Sequence, residues 1–202
     1  MKIICIGDSL TYGFGVNSGE CWVDLLRNKL NLEIINKGIN GDTTFGILKR
    51  RFEDIYNYKP SYVILMGGSN DFFLGYSIKD VVNNISTLLN ELKEKSITPI
   101  LALQPPILTD MAEVFWCDDS LNYKEVKNNV LKYVNWAKEY TTRNNILLIN
   151  FHDKFNLIKE DIHKYYSDGL HLNSKGNKIM FTIAFESLKN SINISNRLLN
   201  KK

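Results

Sequence analysis

The chain has 202 residues, 44% of them hydrophobic and 23% charged, a size and composition that fit one folded domain with its own core and need no disulfide or metal to hold it together. Its net charge of +3 comes from 25 basic and 22 acidic side chains scattered along the sequence, which excludes a nucleic-acid partner that would need clustered cations. Apolar runs such as 62–66 and 146–149 are strand-sized and fall short of the roughly 18 residues that a membrane span requires.

Taken in chain order, Ile3, Ile4, Cys5, Ile6 and Gly7 predict a strand over 2–7 ending in a polar turn, with no leader-like apolar core before it, so a cytoplasmic setting is expected. Cys5, Cys21 and Cys117 have no paired or zinc-type spacing and are expected to be reduced. Trp22, Leu25, Leu26 and Leu30 recur at helical spacing over 20–31, and a strand follows at 33–36. Lys49, Arg50 and Arg51 form the tightest basic cluster and are expected on a solvated helix face. The run Tyr62-Val63-Ile64-Leu65-Met66 predicts a strand over 62–67 that is covered on both faces, as in a parallel sheet. Ser77 with Asp80 makes a variant capping box that opens a helix over 78–95, carrying Val81, Ile85, Leu88 and Leu92 on one face. A strand at 98–103, a helix at 122–143, a strand at 146–150 and a helix at 174–190 complete the series. Residues 1–192 are expected to form a single domain, with 193–202 a polar, frayed tail.

Strands alternating with helices predict an α/β sandwich with right-handed crossovers, and in such sheets ligands bind beyond the carboxyl ends of the strands. Those ends carry Gly7-Asp8-Ser9-Leu10, then Gly38-Ile39-Asn40-Gly41-Asp42-Thr43, then Gly67-Gly68-Ser69-Asn70-Asp71, then Gln104-Pro105-Pro106, and, past the last strand, Asp168-Gly169-Leu170-His171. Each cluster alone is also what an ordinary turn contains. Together they offer acyl-transfer chemistry. A serine hydroxyl needs a base and the base needs an orienting group, and His171 with Asp168 three residues before it on a helical turn supplies both for Ser9. The amides of Ser9 and Gly41 and the side chain of Asn70 are suitable donors for an oxyanion.

Other chemistries fail on spacing. Gly13, Gly15 and Gly19 miss the dinucleotide-loop pattern because Ser18 stands where the third glycine belongs. The sequence contains no phosphate-binding GxxxxGK[ST], no GxSxG elbow and no HExxH. No metal ligand set and no cofactor site are expected. His152 and Asp153 are adjacent and should point to opposite faces, and Asp161 and His163 are two apart and should not face each other; both histidines are expected at the surface or at helix ends.

The ordered blocks resemble those of the GDSL, or SGNH, hydrolase family over residues 5–171. Ser9 in Gly7-Asp8-Ser9-Leu10 matches the family's nucleophile, Gly41 in Asn40-Gly41-Asp42-Thr43 its glycine, Asn70 in Gly68-Ser69-Asn70-Asp71 its asparagine, and Asp168 with His171 its DxxH block. Gly41 is preferred to Gly38 because the family's glycine precedes the Asp-Thr pair, which leaves Gly38 as a turn glycine of unusual backbone conformation. The resemblance implies a flavodoxin-like three-layer α/β/α sandwich with a five-stranded parallel sheet, no cofactor, and hydrolysis of carboxylic esters or thioesters through an acyl-enzyme. Asp8 is expected to organise the turn around Ser9.

Substrate is less legible. Pro105, Met111, Phe115 and Trp116, with Tyr12 and Phe14 after the nucleophile, could line an acyl pocket or simply cover the sheet. An acetylated sugar, a lysophospholipid and an acyl thioester all fit a small-molecule ester substrate, taken by a monomer or small homo-oligomer. The alternative is a catalytically silent binding module on the same sandwich, against which the complete set of nucleophile, base, orienter and oxyanion donors speaks.

Overall fold

In the computed structural model, which describes residues 1–118 and 120–191, strand β1 (Lys2–Gly7) is buried from its second residue on, with Ile3, Ile4, Cys5 and Ile6 fully buried. Successive side chains of a strand point to opposite faces, so this unbroken apolar run feeds two cores. Ile4 and Ile6 join Val63, Leu65, Leu101 and Leu103 on one face, while Ile3 and Cys5 join Ile64, Met66, Ile100 and Ala102 on the other.

The remaining strands are β2 (Glu33–Gly38), β3 (Tyr62–Met66), β4 (Thr98–Leu103) and β5 (Leu147–Asn150), all parallel, in the order β2-β1-β3-β4-β5. Between them run α1 (Ser9–Tyr12), α2 (Trp22–Leu30), α3 (Thr44–Lys49), α4 (Arg51–Asp54), α5 (Ser69–Phe73), α6 (Ile78–Glu94), α7 (Thr109–Trp116), α8 (Tyr123–Arg143), α9 (Phe151–Asn156) and α10 (Ser174–Ser191). The apolar stripes of α6 and α8 cover the Ile4 face, and those of α2, α9 and α10, with Trp22, Leu26, Phe151, Phe155, Met180 and Ala184, cover the Ile3 face. The result is the flavodoxin-like three-layer sandwich. Burying each large aliphatic side chain contributes about 1.5–3 kcal/mol, enough for two such cores to oppose the chain entropy.

The chain leaves β1 to one side for β2 and to the other for β3, so the strand order switches direction beside β1. That switch point opens a crevice at the carboxyl ends of β1, β2 and β3, and it carries the Ser9, Gly41 and Asn70 blocks.

The strands and long helices fall within a few residues of their expected limits, and the Ser77–Asp80 capping box is formed in both directions. The short helices α1, α3, α4, α5, α7 and α9 are additional, being too brief to show a periodicity. The expected tail 193–202 lies outside the described residues. Two expectations are corrected. Arg50 is no solvated cation: it donates to Asp42 Oδ2 at 2.8 Å, Asp54 Oδ2 at 2.7 Å and the Gly7 carbonyl at 3.0 Å, while Arg51 pairs with Glu91. Gly38 ends β2 in ordinary extended backbone paired with Gly7, and it is glycine because a Cβ there would run into the backbone of Thr11 and Tyr12. The left-handed residue of that block is Gly41, at φ 74°.

Candidate active site

Ser9 is the first residue of α1, where β1 gives way to a helix of one turn. The Asp8 side chain caps that turn by accepting from Leu10 N at 3.0 Å, as expected of it, and Gly13 closes it in the left-handed conformation. Ser9 thereby stands, 5% exposed, just beyond the end of β1.

The segment bearing Asp168 and His171 is not the helical turn anticipated. Residues 167–171 form an irregular loop closed by Ser167 N donating to the His171 carbonyl at 2.8 Å. It is anchored from the β4 side, with Leu108 N donating to Gly169 O at 2.8 Å and Tyr166 Oη to Pro106 O at 2.7 Å. Within the loop Asp168 Oδ1 accepts from Leu170 N and His171 N, so the carboxylate itself imposes the fold that brings the ring to it. His171 Nδ1 then lies 2.6 Å from Asp168 Oδ2, and His171 Nε2 lies 3.0 Å from Ser9 Oγ. Partial burial pushes the Asp168 carboxyl up, but the hydrogen bonds from the His171 ring, His171 N and Leu170 N outweigh it and hold it down at about 2. The carboxylate is therefore charged at neutral pH.

On the other side of Ser9, Asn70 sits in the first turn of α5, and its Nδ2 donates to the Asp42 carbonyl at 2.9 Å. An amide nitrogen carries two hydrogens, so this bond aims the side chain and leaves one donor for a ligand. Asp71 binds the second and third blocks together, accepting from Thr44 N at 2.9 Å and Thr44 Oγ1 at 2.6 Å; burial raises its carboxyl, against those bonds. Sequence reasoning assigned roles to neither Asp71 nor Gln104, although both stand in the quoted strand-end clusters.

The expected pocket residues are spread around the rim. The Phe14 ring lies 4.5 Å from the His171 ring, centroid to centroid, and the Trp116 ring 6.4 Å from it. Trp116 also packs on Phe73, which borders a cavity of about 450 Å³ shared with Tyr76, Leu121 and Val126. Tyr12 and Phe115 are exposed, Pro105 is buried, and Met111 packs on the α2/α9/α10 core. None of the six lines that cavity.

The other two histidines lie where expected, His152 as the second residue of α9 and His163 at the surface, but their contacts differ from expectation. His152 is buried, with Nδ1 3.3 Å from its neighbour Asp153, where the two were expected to point apart. Asp161 and His163 do meet, at 2.8 Å, since Asp161 caps a 3-10 turn from outside it, and His163 Nε2 reaches Asp110 of α7 at 2.8 Å. Among the described residues no helix is long and apolar enough to cross a membrane.

Hydroxyl, imidazole and carboxylate in line, facing an amide donor, is the arrangement that serine acyl hydrolases use. Comparison with known proteins gives the family. The chain belongs to the GDSL-like lipase/acylhydrolase family, whose profile matches residues 5–179. It is 28% identical over 105 residues to an arylesterase of Vibrio mimicus, covering 50% of this chain and 52% of that protein. It is 26% identical over 110 residues to the esterase TesA of Pseudomonas aeruginosa, covering 52% and 55%. The matches thus span about half the length of these curated relatives. The solved structure of a putative lipolytic protein of the G-D-S-L family from Desulfitobacterium hafniense superposes with a TM-score of 0.77 at 23% identity, covering 93% of this chain and 99% of that one, which places the two in one fold.

Proposed function

We propose that this hydrolase cleaves carboxylic esters or thioesters through an acyl-enzyme formed on Ser9, with residues 1–192 acting as one catalytic unit. The observation that carries the reading is the unbroken line from Ser9 Oγ to His171 Nε2 at 3.0 Å and from His171 Nδ1 to Asp168 at 2.6 Å. Ser9 Oγ attacks the acyl carbonyl while His171 Nε2 takes its proton. Asp168 holds the Nδ1 hydrogen, which fixes the tautomer and stabilises the imidazolium. The tetrahedral oxyanion is met by Ser9 N, Gly41 N and Asn70 Nδ2, a set in which losing one donor costs on the order of 10² to 10³ in kcat. His171 gives its proton to the leaving alcohol or thiol. It then draws a proton from water, whose oxygen attacks the acyl carbon, and returns that proton to Ser9 Oγ as the carboxylic acid leaves.

The aromatic rings of Phe14 and Trp116 beside His171 favour esters with an apolar acyl or aryl group next to the scissile bond. The test is a series of p-nitrophenyl esters from acetate to palmitate, assayed with wild type and Ser9→Ala, together with fluorophosphonate labelling. Turnover and labelling are expected in the wild type and absent from Ser9→Ala. Equal turnover by both proteins would falsify the assignment of Ser9.

A further inference from the structure

Gln104 ends up at the meeting point of two loops that the chemistry needs in register, although it is distant from both in sequence. Its Nε2 donates to Asp8 Oδ2 at 2.7 Å, and its Oε1 accepts from Ser69 N at 2.9 Å and Ser69 Oγ at 2.8 Å. Asp8 precedes the nucleophile and caps its turn through the other carboxylate oxygen; Ser69 precedes the oxyanion donor Asn70. All three residues are buried, at 1% exposure for Asp8, 4% for Ser69 and 7% for Gln104. Both polar atoms of the amide head thus have a partner, in buried surroundings where losing one is costly.

We propose that Gln104 is a positioning residue, which clamps the Ser9 turn to the Asn70 turn so that nucleophile and oxyanion donor stay aligned during catalysis. The inference rests on the reading of Ser9 as nucleophile and Asn70 as donor. A primary amide suits the post because it donates to one partner while accepting from the other, which neither a carboxylate nor an ammonium can do. Its bond to Asp8 also sustains a charge that the surroundings oppose. Burial pushes the Asp8 carboxyl up to about 7, aided by Asp42, against the bonds from Leu10 N and Gln104 and the nearby His171; the buried Tyr133 faces the same carboxylate.

Two substitutions test the clamp on p-nitrophenyl acetate. Gln104→Leu keeps the volume but strands Asp8 Oδ2 and the Ser69 donors, and is expected to lower kcat roughly 10- to 100-fold with KM within about twofold. Gln104→Glu keeps the shape, and its carboxyl shares one proton with Asp8, because two buried carboxylates in contact cannot both ionise. While that proton is held, the new carboxyl donates to Asp8 Oδ2 and accepts from Ser69 as the amide does, and the clamp is whole. The ratio of Gln104→Glu to wild-type kcat is therefore expected near one at pH 6 and falling steadily towards pH 9. A role confined to folding would lower the melting temperature without making that ratio depend on pH. Wild-type kcat in Gln104→Leu, or a flat ratio in Gln104→Glu, overturns the proposal, and the second result can be read even where the leucine variant does not fold. Ser9→Ala in the same assay separates the two readings: an active Ser9→Ala sinks the nucleophile assignment, whereas an inactive Ser9→Ala beside an undisturbed Gln104→Leu sinks the clamp alone.

Discussion

Asp8, Ser9 and Ser69 lie at most 5% exposed where a strand passes into a helix, whereas Tyr12, Phe14 and Phe115 stand 47–61% exposed on the segments further along from such strand ends. Floor and rim of the site are held by different physics. On the floor the polar side chains are held by hydrogen bonds within the protein, Asp71 by Thr44, Gln104 by Asp8 and Ser69, and Asp168 by the amides of Leu170 and His171. On the rim the contacts are ring against ring, Phe14 on His171 and Trp116 on Phe73, without a polar atom to set a unique geometry. A buried polar network cannot be loosened by halves, since each stranded donor or acceptor costs about 1–3 kcal/mol, while an apolar rim can repack for less. Substitutions on the floor should therefore cost rate, and substitutions on the rim should move selectivity.

The largest effect expected is at Asp168. Replacing it by Asn keeps the shape but removes the charge that fixes the His171 tautomer, and kcat should drop by roughly 10³- to 10⁴-fold on p-nitrophenyl acetate. The same variant should change the acid limb of stability. The folded carboxyl is held at about 2, below its ordinary value of about 3.9, so its contribution is present above that ordinary value and is lost as pH falls towards 2. Thermal melts of wild type and Asp168→Asn at pH 3 and pH 7 check this: the wild type should lose more between them. A kcat within tenfold of wild type would show that His171 keeps its alignment without the Asp168 charge.

These expectations also explain how far the sequence could be read. β1, β3 and β4 were legible because they are buried on both faces, and an unbroken run such as Tyr62 to Met66 leaves few other structures open. The candidate triad was legible because chemistry demands particular residue types at strand ends. Gln104 and Asp71 escaped because their partners, Asp8 and Thr44, lie 96 and 27 residues away, and nothing local marks such a bond. Arg50 was misread for the same reason: its position in a basic triplet says nothing of Asp42, Asp54 or the Gly7 carbonyl, which only the folded chain brings to it. Gly38 was given a conformational role because its steric one depends on the backbone of α1 passing close by.

A smaller effect is expected on the rim. Trp116 bridges from His171 towards Phe73 and the cavity of about 450 Å³ beyond it, so Trp116→Ala removes a wall that a long acyl group would touch and an acetyl group would not reach. Each methylene that loses such a contact forfeits about 0.8 kcal/mol. kcat/KM for p-nitrophenyl octanoate should fall roughly tenfold relative to that for the acetate, with the melting temperature nearly unchanged. An equal loss on both esters would mean that Trp116 belongs to the floor, acting through the histidine.

The smallest effect should come from His163, which joins the rim helix α7 to the segment before the Asp168–His171 loop by contacts of 2.8 Å to Asp110 and to Asp161. These two carboxylates raise the imidazole above its ordinary value, Asp110 first. A group raised in the folded state lends stability that is fully present below its unfolded value, about 6.5, and fades as pH rises through the folded one. The melting temperature of His163→Ala should accordingly lie below that of wild type at pH 5.5 and meet it near pH 9. Because all three side chains are largely exposed, the gap at pH 5.5 should be a few degrees at most. A gap that widens towards pH 9 would reverse the assigned sign, and a gap of ten degrees would show that the rim is held as firmly as the floor.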